Sequence, residues 1–258
     1  MTFSCLRNAA IGAALLFATP FDAVGNDAVE EALERFVADY ASDPMALDIT
    51  FGIDVDGDRW HVRSAQTGDA PRTVSLEAGF PDTPMIYFKT TADVLGRIDA
   101  GELSGLTAMA AETSDQLTPL DVFPVNGYER GDDYDAMLRP LIFHFWTRGL
   151  PETVPLGMAN TRVVHGAPGT VMYYDANFRS AVYHVPPRLG RDMAPTITVP
   201  FPRVLVVLAG EMSGTVGPNP FSIPRGTMVF VPPNVPATLW NDQDEPLELM
   251  FLMFGDGA

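Results

Sequence analysis

Arg203-Val-Leu-Val-Val-Leu-Ala-Gly210-Glu-Met, Ile223-Pro224-Arg-Gly226-Thr-Met-Val-Phe-Val-Pro-Pro233 and Ala237-Thr-Leu-Trp-Asn241 make up the stretch whose reading decides the fold. Each piece is a short apolar run closed by Gly or Pro, the pattern of strands joined by tight turns. Working outward, the same punctuation separates strand-like runs at Thr161–His165, Val171–Tyr174, Phe178–Val185, Val204–Ala209, Met228–Val231, Thr238–Asn241 and Leu247–Phe254. Regular turns between short runs predict an all-β sandwich or barrel for this part.

The quoted stretch resembles the two motifs of the cupin family, which implies a jelly-roll barrel over about residues 162–256. Members usually hold a metal. The first motif carries a Glu seven positions before its Gly and two His a few residues earlier; the second carries a His four positions before its Asn. Here those places hold Arg203, residues among Thr196 to Val199, and Ala237. The resemblance therefore implies the scaffold without its usual ligands, and no cofactor is expected. At the Glu position Arg203 would face the cavity, where a permanently charged guanidinium opposes a metal and suits a ligand carboxylate or phosphate. A strand-end Arg turned to solvent remains equally open, because a register slip of one residue reverses its direction.

Two barrel histidines, His165 and His184, offer a displaced metal site with Asp175 or Glu211, for Fe, Zn, Mn or Ni. They lack the two-residue spacing of a paired ligand motif, so structural roles are expected. The run Tyr173-Tyr174 and Phe178 to His184 is more suggestive. Alternation places Arg179 and Tyr183 on one face and Phe178 and His184 on the other. Arg203, Arg179, Tyr183, His184, Tyr174 and Trp240 are accordingly the candidate ligand contacts of this part.

Upstream the text changes. Asp27 and Glu30 make a capping box for a helix burying Val29, Ala32, Leu33, Phe36, Val37 and Tyr40. Strict alternation follows from Leu47 to Val55, and Asp56-Gly57 turns the chain back toward Trp60 as a hairpin. Strands are expected at Thr73–Leu76 and Met85–Lys89, and helices at Ala92–Ile98 and Leu103–Ala111. Asp54, Asp56 and Asp58 also fit the start of a calcium loop, but no Glu closes it and strands flank it. The hairpin is preferred.

Phe51-Gly-Ile-Asp-Val-Asp-Gly-Asp-Arg-Trp60, Thr91-Ala-Asp-Val-Leu95 and Gly101-Glu-Leu-Ser-Gly-Leu-Thr-Ala-Met109 resemble the sterol carrier protein 2 (SCP2) family over about residues 27–122. That resemblance implies an apolar ligand held between sheet and helices. Leu95, Leu106 and Met109 are its candidate contacts, and each alone also reads as core. Residues 118–135, rich in breakers and acids, read as a join. A helix follows from Tyr134 to Arg148, kinked or restarted at Pro140, with His144 packed at the domain junction among Phe143, Phe145 and Trp146.

Residues 1–25 read as an export signal: Arg7, then apolar Ala9 to Ala18, then small residues at Ala23-Val-Gly25. Cys5 lies inside it, so the mature chain would have no thiol, which excludes disulfides and cysteine nucleophiles. With 33 acidic against 16 basic residues the chain carries net charge -17, which disfavours nucleic acid and anionic membrane surfaces. No hydrolase elbow, phosphate loop or dinucleotide fingerprint occurs.

The expected protein is α+β: signal peptide 1–25, SCP2-like α/β sandwich 26–122, helical connector 123–160 and cupin-like β-barrel 161–258. It is expected to be periplasmic or secreted, not membrane-spanning, to form a homodimer through the barrel, and to bind an apolar or amphipathic small molecule. A metal-dependent cupin enzyme and a structural or partner-binding protein are the alternatives.

Overall fold

The computed structural model describes residues 26–111, 115–149, 151–175 and 177–258. The expected export signal and Cys5 lie outside the described residues. Helix α1 (Asn26–Ser42) precedes a hairpin of β1 (Ile49–Val55) and β2 (Asp58–Ala65), then β3 (Thr73–Ala78) and β4 (Met85–Thr90). Helices α2 (Ala92–Asp99) and α3 (Gly105–Ala108), strand β5 (Asp121–Val125) and helix α4 (Tyr134–Phe145) complete the N-terminal part.

The hairpin turn forms as its Asp-Gly chemistry dictates, with Asp56 at φ 53° and Gly57 at φ 101°. Asp54 and Asp56 are occupied structurally and strands flank the turn, as the hairpin reading requires. Asp54 accepts from the Gly57 N–H at 3.0 Å and from Arg59 Nε at 3.1 Å, and Asp56 accepts from the Ala92 N–H at 2.8 Å at the start of α2.

The first sheet runs β3-β2-β1-β4-β5, with β1 and β4 parallel and the other pairs antiparallel. Strand β5 falls inside the stretch expected to be a join. Its Pro124 disguises it, yet an edge strand tolerates a residue that cannot donate to a ladder. The expected helix at Leu103–Ala111 shrinks to α3, capped by the Ser104 hydroxyl, which accepts from the Thr107 N–H. Helix α4 continues through Pro140.

One apolar cluster joins α1, α2, α4 and the sheet, and its centre is aromatic. Trp146 lies 5.4 Å from both Phe36 and Phe88, ring centre to ring centre, and Phe51 sits 4.9 Å from Phe145, edge to face. Helix α3 reaches Trp146 only because residue 105 is Gly. A Cβ there would stand 2.4 Å from Trp146 Cβ.

The C-terminal part holds β6 (Arg162–Val164), β7 (Ala167–Tyr174), β8 (Phe178–Val185), β9 (Thr196–Ile197), β10 (Arg203–Ala209), β11 (Glu211–Val216), β12 (Asn219–Pro224), β13 (Met228–Val231), β14 (Ala237–Trp240) and β15 (Leu247–Phe254). They form two sheets, β13-β10-β15-β8-β7-β6 and β12-β11-β14-β9, whose facing side chains make a second core that includes Leu205, Val207, Met212, Val231, Ala237 and Leu249. Asn241 is fully buried and clasps the chain, its amide donating to the carbonyls of Pro186 at 3.1 Å and Glu245 at 2.8 Å. The two parts are also tied together. Thr107 Oγ1 accepts from the Val171 N–H, and Asn160 Oδ1 from the Ser104 N–H.

Candidate functional site

Arg203 opens β10 and is 5% exposed, so it faces inward, not to solvent. Its register partners are Val231 on β13 and Met253 on β15; Met253 in turn pairs with Arg179 on β8, and Arg179 with Tyr174 on β7. Cross-strand partners share a face. Val231, Arg203, Met253, Arg179 and Tyr174 therefore form one register row at the end of the sheet where β10 and β8 begin, with Tyr174 at its far end packed against the first core. Two strand spacings separate the arginine backbones, about 10 Å, within reach of one small ligand.

Neither guanidinium meets a carboxylate in the ion pairs of the described residues. Among the described residues Arg203 Nη2 donates to the carbonyls of Ile197 at 3.2 Å and Val235 at 3.4 Å. Arg179 Nη2 donates to the Tyr174 hydroxyl at 2.6 Å, and its Cζ stacks 4.2 Å from the Tyr174 ring centre. The buried Nε of each arginine has no hydrogen-bond partner among the described residues. Burial lowers both guanidinium pKa values from the ordinary arginine value. For Arg179 the charge of Arg139, which stacks on the same tyrosine at 4.5 Å, adds to that, and Tyr174 and Tyr183 oppose it.

The other candidates disperse. Tyr183 shares the inner face with Arg179 but lies flat over Gly169 and packs edge-on to Phe251 at 5.0 Å, inside the barrel core. His184 is on the outer face, its Nε2 3.0 Å from the Leu156 carbonyl and its Nδ1 3.5 Å from Glu248. Trp240 also points away from the core, its Nε1 donating to Asp242. Leu95 and Leu106 are 1% and 4% exposed within the aromatic-centred core, and Met109 packs against it.

The displaced metal site does not assemble. His165 is exposed in the β6–β7 turn at φ 52°, Asp175 accepts from the Asn177 and Phe178 N–H groups, and Glu211 accepts from the Ser222 hydroxyl. The metal that the cupin resemblance implies does not fit either. Its ligand positions carry a buried arginine and Ala237, and an unpaired guanidinium repels a cation at that point.

A different group does come together. Asp43, just beyond α1, His144 on α4 and Glu152 after α4 place three potential donor atoms within 4.8 Å of one another. Both carboxylates approach the same nitrogen, with His144 Nδ1 3.0 Å from Asp43 Oδ2 and 2.9 Å from Glu152 Oε1. Burial, together with the contact to Glu152, raises the Asp43 pKa. Burial also works to raise Glu152, but hydrogen bonds with Asp43 and His144 outweigh it and hold that carboxyl below its ordinary value. Sequence reasoning saw only His144, as a packed junction residue. Asp43 is 101 residues away and belongs to no motif.

Two clefts are also present. One, of about 310 Å³, is lined by Ile98, Leu103, Ser104, Trp146, Arg148 and Val154 among others; a smaller one, about 180 Å³, lies between α1 and α2 beside Leu95. No helix among the described residues is long and apolar enough to cross a membrane.

No protein-family model matches the chain, and no curated protein matches it. Solved structures resemble it in part. An RmlC-like cupin from Shewanella frigidimarina NCIMB 400 aligns with 38% of this chain and 84% of its own, at 13% identity and TM-score 0.33. A Cupin 2 conserved barrel domain protein from Salinispora arenicola CNS-205 aligns with 41% and 90%, at 16% identity and TM-score 0.37. The Schizosaccharomyces pombe Cnp3 cupin domain aligns with 42% and 73%, at 16% identity and TM-score 0.34.

Proposed function

We propose that this chain is a small-molecule binding protein whose β-sandwich part receives the anionic end of an organic ligand, a carboxylate or phosphate, between Arg203 and Arg179. The carrying observation is the pair of inward-facing guanidiniums on one register row, each with a buried Nε that has no partner, and neither with an acidic partner, among the described residues. A buried charge without compensation is costly. Such a pair persists where a ligand completes it, and Arg presents the planar fork that carboxylate and phosphate match.

In its finer form the reading is an exported carrier with an SCP2-like first part and a cupin-like barrel that has exchanged metal for anion recognition. The tightly packed core around Leu106 and Phe51 argues against a lipid tunnel there, and the 310 Å³ cleft beside Trp146 and Leu103, which shares no lining residue with the arginine row, is a separate place for an apolar group. That volume sits at the lower end of ligand-sized pockets.

The test is a thermal-shift and calorimetric screen of organic carboxylates and phosphate esters against the purified chain, with Arg203→Met and Arg179→Met in parallel. A compound that raises the parent's Tm and loses at least tenfold in affinity in each variant supports the reading. Should every anion bind the variants as well as the parent, the assignment is wrong.

A further inference from the structure

We infer that Asp43, His144 and Glu152 form a divalent transition-metal site at the junction of α1, α4 and the segment after α4, a site independent of the arginine row. Three observations carry it. The donor atoms are close enough to share one ion: ligands about 2.1 Å from an ion at right angles lie about 3 Å from each other, the Nδ1–Oδ2 and Nδ1–Oε1 distances are 3.0 Å and 2.9 Å, and all three atoms lie within 4.8 Å of one another. The site is shielded, with the three side chains 3%, 10% and 17% exposed for Asp43, His144 and Glu152. And the donors converge. Two carboxylates converge on one imidazole nitrogen, which has a single proton to offer.

The ligands are held in place from outside the site. The second Asp43 oxygen, Oδ1, accepts from the Met45 N–H at 2.7 Å, which leaves Oδ2 directed at the histidine. The His144 ring is braced edge-on by Phe143 at 5.1 Å. Outer-shell bonds of this kind orient metal ligands. A set of one imidazole nitrogen and two carboxylate oxygens suits Zn, Mn, Fe or Co. It is too small for Ca, which takes six to eight oxygens. Three protein ligands leave positions open to water or a small ligand. A bound ion would also pin residues 43, 144 and 152 to one point, fixing how the segment after α4 leaves the first sheet's helices.

The chelator-stripped full chain is titrated with Co(II) and Zn(II), followed by the visible absorption of cobalt and by calorimetry, alongside Asp43→Asn, Glu152→Gln and His144→Ala. The expected result is one equivalent bound, a Tm that rises with metal, and at least a tenfold loss of affinity in Asp43→Asn and in Glu152→Gln. These near-isosteric variants decide the matter even where His144→Ala fails to fold. No uptake by the parent, or uptake unchanged in Asp43→Asn and Glu152→Gln, overturns the site. Neither result touches the anion-binding reading, whose variants lie elsewhere.

Discussion

Replacing Arg203 with Met removes a charge while keeping an unbranched stem of similar reach. In the ligand-free protein the change acts in two directions. It deletes two hydrogen bonds at 3.2 and 3.4 Å, both at the long end of the useful range, and together these stabilise by about 2 kcal/mol at most. It also relieves the burial of a guanidinium that is 5% exposed and has an unpartnered Nε. Exchanging buried ionic groups for well-packed apolar ones commonly stabilises by about 1–4 kcal/mol where the charges were paired, and this one has no acidic pair among the described residues. The balance favours the variant by about 1–2 kcal/mol, or roughly 2–8 °C in Tm for a chain of this size. Chemical denaturation in an anion-free buffer measures it. Arg203→Met should be the more stable protein and should gain nothing from added carboxylate or phosphate ligand. Were it less stable than the parent by more than about 1 kcal/mol, Arg203 would be a clasp for the Ile197 and Val235 carbonyls, and the reasoning from uncompensated charge would fail.

Gly105→Ala should cost about 2–3 kcal/mol, because the added methyl meets Trp146 Cβ, close to the backbone and unable to swing away; an unchanged Tm would refute the close approach. Asn241→Ala should cost about 1–3 kcal/mol by urea denaturation, since it removes a fully buried amide that donates to the Pro186 and Glu245 carbonyls at the barrel's turn. Burial pushes the Tyr40 hydroxyl up to about 12, so the folded chain keeps a proton that the unfolded chain releases near 10. The unfolded state binds fewer protons between those values, and stability should fall by about 2–3 kcal/mol as pH rises from 10 to 12. Tyr40→Phe should reduce that alkaline slope, leaving the part that buried Tyr134 and Tyr173 contribute, while costing about 1 kcal/mol at neutral pH, because the Leu47 N–H loses its acceptor.

Much of the architecture was readable where period and turn chemistry agree. The face of α1 with Leu33, Phe36 and Tyr40, the Asp56-Gly57 hairpin and the limits of β8, β13 and β15 follow from local text. Strands β5, β11 and β12 did not, because Gly214, Pro124, Pro220 and Pro224 read as breakers. Their places in the sheets explain the tolerance: β5 and β12 are edges, and Gly214 makes room for the Phe221 ring that lies against it. Alternation also placed Arg179 and Tyr183 on one face of β8, as found. What it could not supply was the register joining Arg203 to Arg179 through Met253, a property of three strands spread over 75 residues. The Asp43, His144 and Glu152 group was more remote still, since tertiary packing alone brings it together.

The prolines that hid the edge strands bear on how the molecule behaves in a crowded solution. An open strand edge is a template on which another chain can add, and a residue without an N–H interrupts that template. Pro124 guards β5, and Pro220 and Pro224 guard β12. Strand β13 has neither proline nor charge, and its Met228 and Phe230 are 60% and 52% exposed. If the folded chain ever grows into ordered aggregates, growth should begin on that edge, and a lysine at 230 should slow it.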